Sequence, residues 1–215
     1  MKKKTEAKRQ AILDVAAEAF RELGFAGTSM SEICTRVGGS KATLYNYFSS
    51  KEELFYEIVF LSTEAEIGAV FEAIDGARED IADALHHFGE KLLAFLYSPH
   101  VRAQRHLAVS VSGRSNIGRL VYERGVLRSQ TLMADFLQQA MAQGKLRQAD
   151  PMVAARHLCS LLESELLERY LFQVLGEVSA EEISAVTARA VAVFMAGYGA
   201  NALASPSGAG ATAAK

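Results

Sequence analysis

An all-α fold is predicted by three features of this 215-residue sequence. Ala, Leu, Glu and Arg, all good helix formers, are abundant, and Gln adds to them. Proline occurs only at Pro99, Pro151 and Pro206, so long stretches run without a breaker. Apolar residues recur at three- and four-residue spacing between capping residues and glycine stops, whereas alternating patterns are short. About nine helices are expected, the first three forming a small N-terminal domain and the rest a larger helical body.

The first helix is predicted over residues 5–23, where Ile12, Val15, Ala16, Ala19, Phe20 and Leu23 form one apolar stripe and Gly24 follows as the stop. A short second helix is capped near Ser29, with Glu32 in capping-box register, and presents Met30, Ile33, Cys34 and Val37 inward. Gly38-Gly39 breaks it. Ser40 caps a third helix from Lys41 to Phe48, with Leu44 and Phe48 on one side. Ser49-Ser50-Lys51-Glu52 opens a fourth, which continues through Leu54, Phe55, Ile58 and Leu61 to about Ile74.

Asp75-Gly76 ends that helix, and residues 79–97 make a fifth. Ser98-Pro99 starts a sixth that stops near Ser112-Gly113. A seventh, with Gly125 as a point of bending, spans 115–143 and is stopped by Gly144. Asp150-Pro151 opens an eighth that runs to about Leu175, and Ser179 caps a ninth that runs to about Gly199. From Ala202 the chain is Ala, Ser, Gly and Pro without apolar periodicity, so 201–215 is expected to be a disordered tail.

Residues 1–51 carry nine Lys or Arg against five Asp or Glu, a net of +4, while the remainder carries fourteen against twenty, a net of −6. A basic front on an acidic body points to a polyanion meeting the front. No apolar run follows the basic start and none approaches membrane-spanning length, so a soluble cytoplasmic protein without a membrane partner is expected. Cys34 and Cys159 stand at no metal-ligand or redox spacing, which fits small apolar residues in a reducing compartment. His86-His87 point to different sides of a helix, and His100, His106 and His157 are scattered. With no metal spacing, no phosphate loop and no nucleophile elbow, catalysis, a metal site and a cofactor are not expected.

Two short helices joined by a Gly-containing turn form a helix-turn-helix pattern. The segment Thr28-Ser29-Met30-Ser31-Glu32-Ile33, then Gly38, then Ser40-Lys41-Ala42-Thr43-Leu44-Tyr45-Asn46-Tyr47-Phe48, followed by Ser50-Lys51-Glu52-Glu53-Leu54, resembles the DNA-binding domain of the TetR family. The likeness covers about residues 8–56. One departure is Gly39, where the family usually has a small aliphatic residue; losing that packing costs on the order of 1 kcal/mol. Arg105-His106-Leu107-Ala108-Val109 and Gly144-Lys145-Leu146-Arg147 through Asp150-Pro151 resemble, more loosely, the regulatory domains of the subgroup named for AefR.

A helix-turn-helix lays its second helix in the major groove. With Leu44 and Phe48 inward, Ser40, Lys41, Ala42, Thr43, Tyr45, Asn46 and Tyr47 are the candidate DNA-facing residues. Ala42 allows close approach and can meet a thymine methyl, Thr43 can bond a base or phosphate, and Asn46 has the chemistry to read adenine. Thr28 and Ser29 offer hydroxyls and backbone N–H groups to phosphate, and Tyr47 offers its phenol. Lys51 opens a helix, where a cation opposes the helix dipole, so an external phosphate is its expected partner, as the resemblance also implies. Lys2, Lys3 and Lys4 are expected to add salt-dependent affinity as an arm. For Lys51 the competing reading is a solvated lysine; for Tyr45 and Tyr47 it is packing.

The domain division expected is 1–51 for DNA binding and 52–200 for ligand binding and dimerisation. The resemblance implies a two-fold homodimer paired through the eighth and ninth helices, with Leu158, Leu162, Leu166, Val186, Ala190, Val193, Phe194 and Gly197 as candidates. It also implies a pocket for a small apolar or amphipathic effector, with Phe88, Leu92, Phe95, Tyr97, His106, Met133 and Phe136 as candidate lining. Intramolecular packing competes for all of these residues. The expected function is a ligand-responsive repressor that binds a near-palindromic double-stranded operator. Activation, or a ligand-binding dimer that has lost DNA binding, are the alternatives.

Overall fold

The computed structural model describes residues 5–72, 74 and 80–200. Leu61, Ser62, Glu64 and Glu72 are described by backbone alone. The Lys2-Lys3-Lys4 arm, the Asp75-Gly76 stop, the start of the fifth helix at Glu79 and the 201–215 tail lie outside the described residues. The described residues contain no strand; a single antiparallel bridge joins Leu146 to Gly199. Eleven α-helices are present among them, in two compact units.

The first unit spans Met1–Gly68 and Ser98–Leu127. Its helices are α1 (Glu6–Gly27), α2 (Met30–Val37), α3 (Lys41–Tyr47), most of α4 (Lys51–Glu72), α6 (Pro99–Ser112) and α7 (Ile117–Val121). Thr5 caps α1, and Gly24 at φ 69° interrupts it at the predicted stop. Ser29 and Ser40 cap α2 and α3 through their hydroxyls, and Gly38 closes α2 in the left-handed region. Glu32, in capping-box register, sends its carboxylate to Arg36. Ile12, Ala16 and Phe20 of α1, Ile33 and Cys34 of α2, Leu44 and Phe48, Leu54 and Phe55 of α4, and Ala108, Ile117 and Leu120 of α6 and α7 share one core. Phe55 sits edge-on to Phe20 and Phe25, with ring centroids 5.1 and 5.0 Å away.

The predicted seventh helix is α7 and α8 (Arg128–Ala142) separated by a π-helical stretch, Tyr122–Leu127, that contains Gly125. The π ladder is an uncommon geometry that periodicity of apolar residues does not encode.

The second unit spans Ala69–Tyr97 and Arg128–Lys215. It is built from α5 (Ile81–Leu96), α8, α9 (Pro151–Glu163), α10 (Leu167–Leu171) and α11 (Ala180–Tyr198). Asp80, Asp150 and Ser179 cap α5, α9 and α11 with side-chain bonds, and Pro151 stands at the first position of α9. Helices α5, α9 and α11 close on one another at Gly89, where a methyl group would fall 2.6 Å from Thr187 Cγ2 and 2.7 Å from Leu162 Cδ2. The predicted eighth helix is divided into α9 and α10. Ser164 donates its hydroxyl to the Leu161 carbonyl at 2.7 Å, and its own N–H turns to the same carbonyl. The helix then ends at Leu171 rather than Leu175, because Gln173 takes φ 57° and the Val174 N–H bonds back to Arg169.

Candidate nucleic-acid interface

The turn between α2 and α3 is held from behind. Gly38 donates its N–H to the Cys34 and Thr35 carbonyls, and the buried Cys34 thiol donates to the Gly39 carbonyl at 3.0 Å. Ser40 accepts from the Thr43 N–H at 3.1 Å, and the two hydroxyls lie 2.8 Å apart. The N-terminus of α3 is therefore fixed at both the backbone and the side-chain level.

Leu44 and Phe48, each 2% exposed, anchor α3 to the core. Lys41, Ala42, Tyr45 and Asn46 are exposed on the opposite side, with Tyr45 at 51%. Thr43 is half-buried, and Ser29 and Ser40 are exposed at the starts of α2 and α3. These residues form one solvent-facing surface on α3 with two capped helix starts at hand.

Three other candidates are engaged inside the unit. Thr28 is 2% exposed, and its hydroxyl donates to the Gly24 carbonyl at 2.8 Å and the Ala19 carbonyl at 3.2 Å. Its backbone N–H also goes to Gly24, so Thr28 closes the end of α1. Tyr47 is half-buried against the core, and its phenolic oxygen accepts the Thr5 N–H at 3.0 Å. Lys51 donates to the Phe25 carbonyl at 2.8 Å and stands 4.3 Å from the Phe25 ring centroid. One ammonium proton is so committed; the ammonium has three.

Charged residues other than the DNA-facing candidates complete the unit. Glu53 accepts from both the N–H and the hydroxyl of Ser49 at 2.7 Å, fixing the turn from α3 into α4. Its position three residues after Ser50, whose hydroxyl accepts the Glu53 N–H, is capping-box spacing and a legible signal. Arg9 on α1 pairs with Glu57 on α4, which Arg124 also approaches at 3.7 Å. Arg36 is taken up by Glu32 at 2.8 Å and Glu22 at 2.7 Å. The hydrogen bonds it donates to Glu32 first, then to Glu22, raise its pKa further above the ordinary arginine value.

In the second unit, Phe88, Leu92, Tyr97 and Met133 are buried and Phe95 and Phe136 half-buried. The Tyr97 hydroxyl donates to Glu163 at 2.9 Å, with Tyr170 edge-on to its ring. His106 is exposed and belongs to the first unit. Leu158, Leu162, Leu166, Val186, Ala190 and Phe194 are at most 4% exposed and pack the second unit's own interior. Val193, 57% exposed, and the half-buried Gly197 are the pairing candidates that reach the surface.

No helix among the described residues is long and apolar enough to cross a membrane. Residues 12–58 match the family model for bacterial regulatory proteins of the tetR family. Residues 83–200 match that for the AefR-like transcriptional repressor, C-terminal domain. The HTH-type transcriptional regulator UidR of Escherichia coli (strain K12) is 34% identical over 100 residues, which are 43% of this chain and 51% of that protein. The chain spans about half the length of the curated relatives it matches. A solved TetR-family regulator from Mesorhizobium loti MAFF303099 is 30% identical, covering 91% of this chain and 100% of that one with a TM-score of 0.71. The flavonoid-responsive regulator FrrA is 29% identical, covering 91% of this chain and 98% of that one with a TM-score of 0.73. A helix-turn-helix with its second helix exposed, on a chain matched by both models, fixes the assignment: this protein belongs to the TetR family of bacterial transcriptional regulators.

Proposed function

We propose that the protein is a ligand-responsive repressor that binds a near-palindromic operator as a homodimer and is released by a small molecule. The observation that carries this reading is the surface of α3: Lys41, Ala42, Tyr45 and Asn46 exposed over a core anchored by Leu44 and Phe48. Ala42 and Asn46 supply the base-edge chemistry; Ser29, Ser40 and Thr43 supply hydroxyls for phosphate. The Phe25 carbonyl and ring hold the Lys51 ammonium in one place, and its remaining protons serve a phosphate. Residues 1–51 form the DNA-binding part and the helical body that follows carries effector binding and dimerisation.

Dimerisation is assigned to the outer face of α11, where Ala185, Ala188, Ala192, Val193 and Ala196 are exposed or half-buried, with Val153 of α9 41% exposed. The buried leucines of α9 then hold that face in shape. The effector is a small apolar or amphipathic molecule bound among Phe88, Leu92, Phe95, Met133 and Phe136, with the Tyr97–Glu163 pair as a polar end. A relative named for its response to flavonoids supports an aromatic effector with polar edges.

The test is selection of bound duplexes from a random-sequence pool, followed by titration of the enriched duplex by fluorescence anisotropy at several salt concentrations. The expected result is an inverted repeat with half-sites about one helical turn apart or slightly more, and a steep salt slope. Replacement of Lys51 by Ala is expected to weaken binding and reduce the slope by about one. Failure to enrich any duplex sinks the proposal.

A further inference from the structure

The first unit contains a cluster of charges that includes none of the candidate DNA-facing residues. Ile117 and Leu120 of α7 enter the unit's core, and one turn further along the same stripe stands Arg124. Its guanidinium lies 5.1 Å from the ring centroid of the buried Tyr56, 3.7 Å from a Glu57 oxygen and 3.8 Å from a Glu53 oxygen. Both carboxylates have second engagements that lead to the recognition helix. Glu53 holds the Ser49 N–H and hydroxyl directly after Phe48, the residue that closes α3. Glu57 pairs with Arg9 of α1, whose guanidinium stands 5.5 Å from the centroid of the Phe48 ring.

We propose that Arg124 is a positioning residue for DNA reading, clamping Glu53 and Glu57 so that the α3–α4 turn and the start of α1 hold the recognition helix in one orientation. The function of the clamp rests on the operator-binding reading above; its geometry does not. The Glu57 side chain is only 14% exposed, and a carboxylate so placed depends on its cations. Of Arg9 and Arg124, the two cations beside it among the described residues, Arg124 comes from outside the helix-turn-helix segment. It is also borne by the π-helical stretch, which ends at Leu127 where the unit ends. Returning that stretch to an α ladder changes the angular step per residue, and with it the direction of Arg124 relative to Ile117 and Leu120. The clamp is therefore sensitive to the ladder that carries it.

The test uses the full chain with Arg124→Gln, Arg124→Lys, Glu57→Gln and the double change Arg124→Gln/Glu57→Gln. The probe is the duplex enriched by the unaltered protein. Arg124→Gln is expected to weaken binding about ten-fold with the salt slope unchanged, Arg124→Lys to recover most of the loss, and the double change to lose less than the singles combined. A slope reduced by about one would instead make Arg124 a phosphate contact and overturn the proposal. So would binding equal to the unaltered protein, or additive losses. Hydrogen exchange without DNA supplies a second readout. Amides of 44–54 are expected to exchange faster in Arg124→Gln while those of α11 keep their rates; uniform acceleration throughout would mean general destabilisation and sink the clamp. Should Glu57→Gln not fold, the contrast between Gln and Lys at 124 decides alone. If no duplex is enriched at all, the operator-binding reading falls, and the exchange experiment still judges the clamp.

Discussion

A methyl group added at Gly39 would meet nothing within 4 Å, and this residue, unlike Gly38, keeps φ out of the left-handed region. The glycine that departs from the family pattern is thus not required by the backbone. Gly39→Ala is expected to stabilise the protein by about 0.5–1 kcal/mol through the unfolded chain, and Gly38→Ala to destabilise it by about 1 kcal/mol or more, both read by urea unfolding. Cys159 offers a second test. Burial first, and the Glu163 charge second, push its thiol from an ordinary 9.0 up to about 11. The neutral thiol is favoured in the folded state, so its stabilisation is complete below pH 9 and is lost as pH rises toward 11. The unaltered protein should lose about 2–3 kcal/mol more than Cys159→Ala across that window, and a parallel decline in both would refute the assignment. Residue roles were only partly legible. Leu44 and Phe48 follow from their spacing, whereas the Ala19 carbonyl that Thr28 meets and the Phe25 carbonyl that Lys51 meets lie nine and twenty-six positions away on α1, and no local pattern encodes them.

The helices were legible wherever a capping residue or glycine marked their ends. Ser29, Ser40, Asp150 and Ser179 all make the side-chain bonds that their spacing promises, and Gly24, Gly38 and Gly144 all take positive φ. The two departures from nine expected helices arise where backbone geometry is set by something weaker than a cap. At Ser164 a hydroxyl competes for a main-chain carbonyl, and at Tyr122–Leu127 the ladder widens around Gly125, which the sequence marks as a point of bending and not as an end. The end of α10 shows the same limit, because Gln occupies a left-handed position that usually calls for Gly. Gln173→Gly is expected to raise unfolding free energy by about 1 kcal/mol, and an unchanged or lower value would show that the side chain compensates for its strained backbone. At Gly89 the direction reverses. A Cβ there would stand less than 3 Å from Thr187 and Leu162, so Gly89→Ala is expected to force α5 away from α9 and α11 and cost about 1–3 kcal/mol in the same assay.

For the molecule as a whole, the sequence disclosed its class and its charge asymmetry, but not which apolar face of α11 turns inward. Periodicity counts apolar residues on a helix; it does not say whether the neighbour belongs to the same chain. Val186, Ala190 and Phe194 fill the interior, and the alanine-rich side with Val193 is left outside. Val193→Asp is therefore expected to shift sedimentation from dimer to monomer while the helical circular dichroism is retained, and a persistent dimer would move the interface elsewhere. One contact has a practical bearing on all such measurements. The Thr5 N–H rests on the phenol of Tyr47, so the cap of α1 is one hydrogen bond away from α3. If α3 reads DNA as proposed, a purification tag fused ahead of Thr5 is expected to add its own charges to the apparent affinity and salt slope, so thermodynamic comparisons belong to protein from which it has been cleaved.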